Sequence, residues 1–571
     1  MTSETSTPIR VAAAQCAIGS NMDENLSTCL RVLDKAAEHK PVLVVLPEFC
    51  NHLSWYDNAE HCYEVSLTLD SAFLAAISAK AKAIGAYVSI GATLRREGGK
   101  VSGSALLYSP QGELLGIADK QVLIGHENDF LEPAQNAAPI IDTDIGRLAM
   151  YMCMDGVINE TPHCLALRGA QVLCNSLNSF APDEGNLHIP VRAAENKVFV
   201  VAANKVGPLV PDAMMADISA ATNIPEVFLC GAGESQIVAP DGTVLAMAQT
   251  RDEEVISALI TVAAADSKVR PDGTDIIASR RPELYSSLGE NPASQSLAVF
   301  GGKPDLQAAM IRWQDETIAE MCALVAEAQR AGAQLIALSP PAAFTKIQEN
   351  ELGNWQLRGA ELVSALGEIL NDDVYVISAQ VAAQGAAYQH QVVAIASHGV
   401  VAVQGQVHFS QRFAWSTLAE GFISVDLPFA RVCMLTSDDS IYPESFRLCA
   451  MAAAEIAVVP MMPLEHWELQ TGLVERAAEN RLNLLAPTAN FEFGRGFAAG
   501  LLEDFTVFGE WKTRIFDGVL TRPPLTDMRD DSAITLAMLH PRYAENKVVS
   551  RNTHLIENRP WYLLQPMTTA N

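Results

Sequence analysis

The chain repeats itself. Arg192-Ala193-Ala194-Glu195-Asn196 recurs unchanged as Arg476-Ala477-Ala478-Glu479-Asn480, 284 positions later. At the same spacing, the run Gly146 to Asp155 faces the run Ala430 to Asp439, so that Cys153 meets Ser437. Near the ends of the halves, Arg281-Pro282-Glu283-Leu284-Tyr285 is echoed by Arg559-Pro560-Trp561-Tyr562. A 571-residue chain with this internal period predicts two copies of one fold. Each copy is long enough to bury a core without staples. They are assigned to residues 8–290 and 295–566. The join falls near residue 290, because Ala264 to Pro292 is enriched in Pro, Gly, Ser and charge.

Within the first copy, strands are predicted at Ile9 to Gln15, Val42 to Leu46, Tyr87 to Leu94, Ser104 to Ser109, Leu148 to Cys153, Val172 to Asn175, Val198 to Ala203 and Gln236 to Ala239. Helices are predicted at Asn25 to Lys40, Leu67 to Ile84 and Thr161 to Arg168, and Asp241-Gly242 signals a hairpin. The second copy repeats the order: strands at Leu297 to Phe300, Leu335 to Leu338 and Val374 to Ala379, helices at Ala308 to Ala331 and Leu362 to Leu370. Alternating strands and helices imply an α/β layered fold with a mixed sheet covered on both faces.

A net charge of −28 repels nucleic acid and anionic membrane surfaces. No run of 18 apolar residues reads as a membrane span. The opening residues lack the basic and apolar regions of a secretory signal. Eleven cysteines without CxxC or Cys/His zinc spacing read as reduced thiols and point to a cytoplasmic protein with no metal site.

Three segments of the first copy carry chemistry. Leu46-Pro47-Glu48-Phe49 ends an apolar strand in a carboxylate. Asp119-Lys120-Gln121-Val122-Leu123 supplies an ammonium, with Glu127 seven residues after Lys120. Met152-Cys153-Met154-Asp155 ends another apolar strand in a thiol. Sites in α/β sheets gather at the carboxyl ends of strands, so these groups could converge. A thiol is a strong nucleophile only as thiolate. A carboxylate can take its proton if burial raises the carboxylate's pKa. A lysine can lower the thiol's pKa and stabilise an oxyanion. Taken singly, each residue reads as well as a core cysteine, a solvated cap or a surface lysine. The order Glu, Lys, Cys sets them apart.

With that order, the first copy resembles the carbon–nitrogen hydrolase, or nitrilase, superfamily. Pro47-Glu48 matches its strand-end acid, Lys120 after Gly112 its lysine, and Glu127 before Phe130 and Pro133 its second acid. Cys153-Met154-Asp155 after Gly146-Arg147 matches its cysteine strand. Arg192 to Asn196, Asn204-Lys205-Val206-Gly207 and the Gly231 to Gly242 hairpin match downstream. The resemblance implies tandem α-β-β-α sandwiches, an intrachain pseudo-dimer. It also implies Cys153 as nucleophile, Glu48 as proton carrier, and Lys120 with the Met154 backbone N–H as oxyanion donors. Glu127 would orient Lys120 or the substrate, and no cofactor is implied. Met154-Asp155, where nitrilases proper carry Trp-Glu, is similar to the amidase and carbamoylase branches. The expected reaction is cleavage of a non-peptide C–N bond in a small amide or carbamoyl compound through a thioester, releasing ammonia or an amine. A nitrilase and a non-catalytic scaffold are the alternatives. Trp55, Tyr56, Asn178, Phe180 and His188 are expected to shape the substrate pocket.

In the second copy, proline occupies the acid position within Ser339-Pro340-Pro341, Gln406 the lysine position and Ser437 the cysteine position. That copy is therefore expected to be non-catalytic; a new site built on Ser437, Asp438, Asp439 and His408 is the rival reading. The family's habit of assembling near its active sites implies that the dead copy stands in for a partner subunit. A homo-oligomer built on such pseudo-dimers is possible.

Overall fold

The computed structural model describes residues 7–294 and 299–569. The chain forms two compact units, and neither is a continuous stretch. The first holds the chain up to Lys268 together with Asp504–Thr521 and Val548–Met567; the second takes Val269–Glu503 and Arg522–Lys547. Each unit is a mixed α/β sandwich.

The first unit contains two six-stranded sheets. One runs in the order Glu254–Ile260, Ile9–Gln15, Leu43–Val45, Tyr87–Arg95, Val101–Tyr108, Leu114–Asp119. The other runs Val244–Met247, Gln236–Val238, Phe199–Ala203, Val172–Ser176, Gly146–Met152, Ile141–Thr143. The two-residue period of a strand sorts each apolar run between two cores. Val11 and Ala13 meet Leu148, Met150 and Val172 between the sheets, whereas Ala12 and Ala14 meet Val32, Leu33, Leu74 and Ile77 under the helices Met22–Glu38 and Ala72–Ile84. The helices Glu160–Leu167 and Ile189–Asn196 cover the second sheet.

The second unit repeats the plan with two more six-stranded sheets. Leu306–Ile311, Leu335–Leu338 and Tyr375–Gln384 form the centre of one; Ala430–Met434, Ile456–Val458 and Asn483–Ala486 form the centre of the other. Ala308 and Met310 face the inter-sheet core, and Ala309 and Ile311 face the helices Ile318–Arg330 and Leu352–Gly367. The repeated pentapeptide does the same job twice. Arg192 pairs with Glu195, and Arg476 with Glu479. Both helices end in a left-handed residue, Lys197 or Arg481. The freed carbonyls are taken by Lys268 Nζ in one unit (2.9 and 2.8 Å) and Lys547 Nζ in the other (3.0 and 3.1 Å).

Two expected elements differ. The helix anticipated from Leu67 begins at Ala72, because Ser71 caps it and Leu67 N–H instead donates to Thr93 O (2.9 Å). The helix anticipated from Ala308 is a strand over Leu306–Ile311 followed by Ile318–Arg330, started by a Thr317/Glu320 capping box. An Ala-Ala-Met-Ile run carries no period of its own, and burial on both faces makes it a strand. Of the strand expected at Leu297 to Phe300, residues 297 and 298 lie outside the described residues, and Val299 and Phe300 have no regular structure. Among the described residues, no helix is long and apolar enough to cross a membrane.

Candidate active site

Three strand ends of the first unit carry the reactive groups. Beyond Leu43–Val45 the chain turns so that Glu48 N–H donates to Leu177 O (3.2 Å), while Pro47 O accepts from Gly91 N–H (3.0 Å). The turn lies so close to the next strand that a Cβ on Gly91 would come within 2.6 Å of Glu48 Cα. Lys120 follows Leu114–Asp119, anchored by its own N–H on Gly103 O (2.8 Å). Cys153 follows Gly146–Met152 at φ 37°, ψ −105°. A residue with a Cβ adopts such a conformation at a cost of about 1–3 kcal/mol. Its N–H on Ser176 O (3.0 Å) and its carbonyl under Gly156 N–H (2.8 Å) hold it there.

Glu48 and Lys120 are fully buried. The Lys120 ammonium contacts both Glu127 oxygens, at 2.9 and 2.8 Å, and lies 2.9 Å from Glu48 Oε1. The two carboxylates are not equivalent. Glu127 takes the lysine's hydrogen bond and also accepts from Ile124 N–H (3.1 Å), whereas Glu48 has only the Lys120 ammonium beside its Oε1, and its Oε2 has no partner. Burial pushes the Glu48 pKa up to about 7 against the pull of Lys120. Burial, reinforced by the Glu48 charge, pushes the Cys153 thiol well above its ordinary value, with Lys120 opposing. Burial would lower the Lys120 pKa, but Glu127 and Glu48 outweigh it and hold the ammonium charged.

Asp155 joins two of these strand ends. Its Oδ1 accepts from the N–H groups of Gln121 (3.0 Å) and Val122 (2.8 Å), and its Oδ2 from Met152 N–H (3.3 Å). One buried carboxylate thus ties the lysine loop to the cysteine strand. Met154 opens the single helical turn Met154–Val157, so its N–H has no acceptor within that turn.

Cys153, Glu127 and Asn178 face a cavity of about 680 Å³ within the first unit. Trp55, Tyr56 and Phe180 line it as well, and the Asn178 side-chain oxygen there has no partner. His188 is not among the lining residues; it sits in the π-turn Glu184–His188, its Nε2 3.2 Å from Thr521 Oγ1. Local sequence patterns missed Asp155 as a tie, and missed the cavity lining supplied by Leu209, Val210, Ile218, Ile224, Phe228 and Leu229 and by Thr506 to Gly509, Leu520, Ser550 and Arg551. The last group comes from the second half of the sequence but belongs to the first unit. The only sequence signal for it was the echo of Arg281–Tyr285 at Arg559–Tyr562, a tail motif that named no destination.

The equivalent place in the second unit can be found by register. Leu43 pairs with Val11 and Tyr87, and Leu335 with Ala308 and Tyr375; five residues onward stand Glu48 and Pro340. Asp439 accepts from Val407 and His408 N–H as Asp155 does from Gln121 and Val122, so Gln406 stands where Lys120 does. Ser437, two residues before that aspartate, matches Cys153. Its Oγ accepts from Met462 N–H (3.0 Å) and lies 3.6 Å from Met461 Sδ. His408 is engaged on both nitrogens, by Asp439 (2.8 Å) and by the Tyr285 hydroxyl. Asp438 binds Arg270 (2.8 Å) and Arg412 (2.8 Å), which hold it well below the usual carboxylate range despite its burial. The cavity here is about 130 Å³. Among the described residues, no group of His, Cys, Asp and Glu is arranged to hold a metal ion.

The sequence from residue 10 to 268 matches the carbon-nitrogen hydrolase family. A nitrilase of Pyrococcus abyssi is 29% identical over 267 residues, covering 46% of this chain and 93% of that protein. The chloroplastic omega-amidase of Arabidopsis thaliana is 26% identical over 295 residues, covering 49% of this chain and 74% of that protein. Among solved structures, an amidase from Nesterenkonia sp. is 20% identical with a TM-score of 0.40, covering 49% of this chain and 96% of that one. Through residues 10–268, the chain belongs to the carbon–nitrogen hydrolase, or nitrilase, superfamily.

Proposed function

We propose that the first unit is an amidohydrolase that cleaves a non-peptide C–N bond through a Cys153 thioester. The observation that carries this reading is the division of labour between two buried carboxylates. Glu127 takes the Lys120 hydrogen bond and a backbone N–H, whereas Glu48 pairs with Lys120 through Oε1 alone, keeps Oε2 free and has its pKa raised to near neutrality, about 7. Glu48 takes the Cys153 proton as sulfur attacks the amide carbon. Lys120 and the Met154 N–H stabilise the oxyanion. The tetrahedral intermediate collapses with Glu48 passing its proton to the leaving nitrogen, so ammonia or an amine departs and an acyl-Cys153 thioester remains. Glu48 then takes a proton from water, whose oxygen attacks the thioester. The free acid leaves and the proton returns to sulfur. Every proton carrier in this cycle belongs to the chain itself.

The second unit is proposed to be non-catalytic. A proline cannot carry a proton, Gln406 is neutral, and the Ser437 hydroxyl has no base beside it.

The test is ammonia release from a panel of amides, ureas and the matching nitriles, with Cys153→Ala as blank, and intact mass for an acyl adduct. Cys153-dependent ammonia from amides and not from nitriles supports the reading. The Pyrococcus relative keeps nitrile hydrolysis as the second reading, and ammonia from nitriles alone would favour it.

A further inference from the structure

The walls of the reactive cavity differ in chemistry from its floor. At the floor stand Cys153, Glu127 and Asn178. The rest of the lining is mostly apolar, with Ser54, His126, Thr222, Thr506, Ser550 and Arg551 as its polar members. Trp55, Tyr56, Phe130, Leu209, Val210, Ile218, Ile224 and Phe228 supply the apolar part, together with Val507, Phe508 and Leu520 from the 504–521 segment. Val210, Ile224, Leu229, Val507 and Phe516 pack as one cluster, with Trp55, Phe180 and Phe228 against it. The 504–521 segment packs tightly on the rest: a Cβ on Gly518 would meet the Phe228 ring at 2.5 Å, so the loop carrying it closes only with glycine there. Phe508 holds a left-handed backbone (φ 59°) and leaves its ring 51% exposed at the lip.

Charge is arranged to match. Of the charged or titratable groups lining the cavity, Glu127 is committed to Lys120, and His126 Nε2 lies against the Ser54 carbonyl. Arg551 is committed to Asp129, and its side chain is 62% exposed. A substrate carboxylate inside would be desolvated near Glu127 with no uncommitted cation to meet it, which is strongly unfavourable. An uncharged aryl or branched-alkyl group would instead displace water from about 680 Å³ of apolar space.

We infer that this site takes an uncharged amide whose acyl group is large and apolar, aromatic or branched aliphatic, and that segment 504–521 sets that preference. The inference rests on the hydrolase reading above and names its substrate class.

The experiment uses the full chain and a series of primary amides, with Cys153→Ala as blank: acetamide, butyramide, hexanamide, 3-phenylpropanamide, and a carboxylated counterpart of hexanamide bearing the acid at its far end. kcat/KM is expected to rise about fourfold for each methylene added, as burial of one methylene predicts. The carboxylated amide should fall at least about 100-fold below hexanamide. Phe508→Ala and Phe228→Ala should each cut the ratio of 3-phenylpropanamide to acetamide turnover about tenfold. Phe508 is half exposed, so its loss should leave the fold intact, which circular dichroism would check. A flat series, or a carboxylated amide that matches hexanamide, overturns the substrate class while Cys153-dependent ammonia still upholds the hydrolase. An absence of Cys153-dependent turnover across the whole series overturns both.

Discussion

The two units keep the same frame and differ in what the frame holds. In both, an aspartate two residues after the end-of-strand position accepts from two successive backbone N–H groups: Asp155 from Gln121 and Val122, Asp439 from Val407 and His408. In both, an Arg-Ala-Ala-Glu-Asn helix ends in a left-handed residue whose neighbouring carbonyls a lysine satisfies. These groups satisfy buried backbone atoms, a need that is independent of chemistry. The groups that differ are those able to move a proton or attack a carbon. Where Glu48 keeps a carboxylate with one oxygen on Lys120 and the other free, Pro340 has none; where the Cys153 thiol faces a large cavity, Ser437 is hydrogen-bonded to the backbone beside a thioether. Fold and chemistry therefore rest on separable sets of residues.

The largest expected effect separates the nucleophile positions. Cys153→Ala should lower kcat by at least about 10⁴-fold, because the covalent route is gone. Ser437→Ala should change kcat/KM by less than about twofold. Steady-state ammonia release measures both, and a comparable loss in the two variants would break the comparison.

The next effect tests the frame. Asp155→Ala frees the lysine loop from the cysteine strand, and a displacement of about 1 Å in the reacting groups is worth roughly 100-fold in kcat. Asp439→Ala leaves equivalent buried N–H groups unpaired and should cost roughly 2–4 kcal/mol of stability, with kcat per folded molecule within about twofold of wild type. Chemical denaturation together with kcat on the folded fraction would show whether the two aspartates split in this way.

A smaller effect lies in the pH profile. With its pKa raised to about 7 by burial, Glu48 accepts a proton only in its ionised form. kcat/KM for an uncharged amide should therefore rise about tenfold per unit up to about pH 7 and level off above it. An inflection near 4.5, the ordinary glutamate value, would mean that the acid controlling the rate is not the buried one.

The sequence displayed the reactive groups because each ends an apolar run: Val44-Val45-Leu46 before Glu48, and Ala149-Met150-Tyr151-Met152 before Cys153. A buried strand cannot tolerate such groups in its interior, so they stand out at its mouth. The repeat revealed two copies of one fold for the same reason, since both copies need the same frame. What stayed hidden depends on long-range packing. Nothing in Thr506-Val507-Phe508-Gly509 says that it lines the cavity containing Cys153, because its apolar face could cover any core. Ala308 to Ile311 read as helix because alanine favours one, until pairing with Leu335–Leu338 on one side and residues 534–537 on the other made it a strand. His188 followed the site in sequence yet points its ring at Thr521, a residue more than three hundred positions away.

The smallest effect concerns the cost of keeping Glu48 where Pro340 stands in the other unit. A carboxyl whose folded pKa is raised from 4.5 to about 7 binds a proton in the native state that the unfolded chain has already released between those values. Its contribution to stability is fully present below about pH 4.5 and declines as pH rises through 7, because the ionised form is desolvated and only partly compensated by Lys120. Glu48→Gln, which keeps the shape and cannot ionise, should flatten that decline and make the protein more stable than wild type at pH 8 by on the order of 1–3 kcal/mol, while the two match near pH 5. Pro340 and Gln406 do not titrate, so no substitution at the equivalent positions of the second unit should alter this slope. Denaturant midpoints of wild type, Glu48→Gln and Gln406→Ala, measured from pH 5 to 8, would decide it. A wild type whose stability is unchanged or rises relative to Glu48→Gln over that range would show that Lys120 fully compensates the buried carboxylate, and that the first unit bears no electrostatic cost that the second avoids.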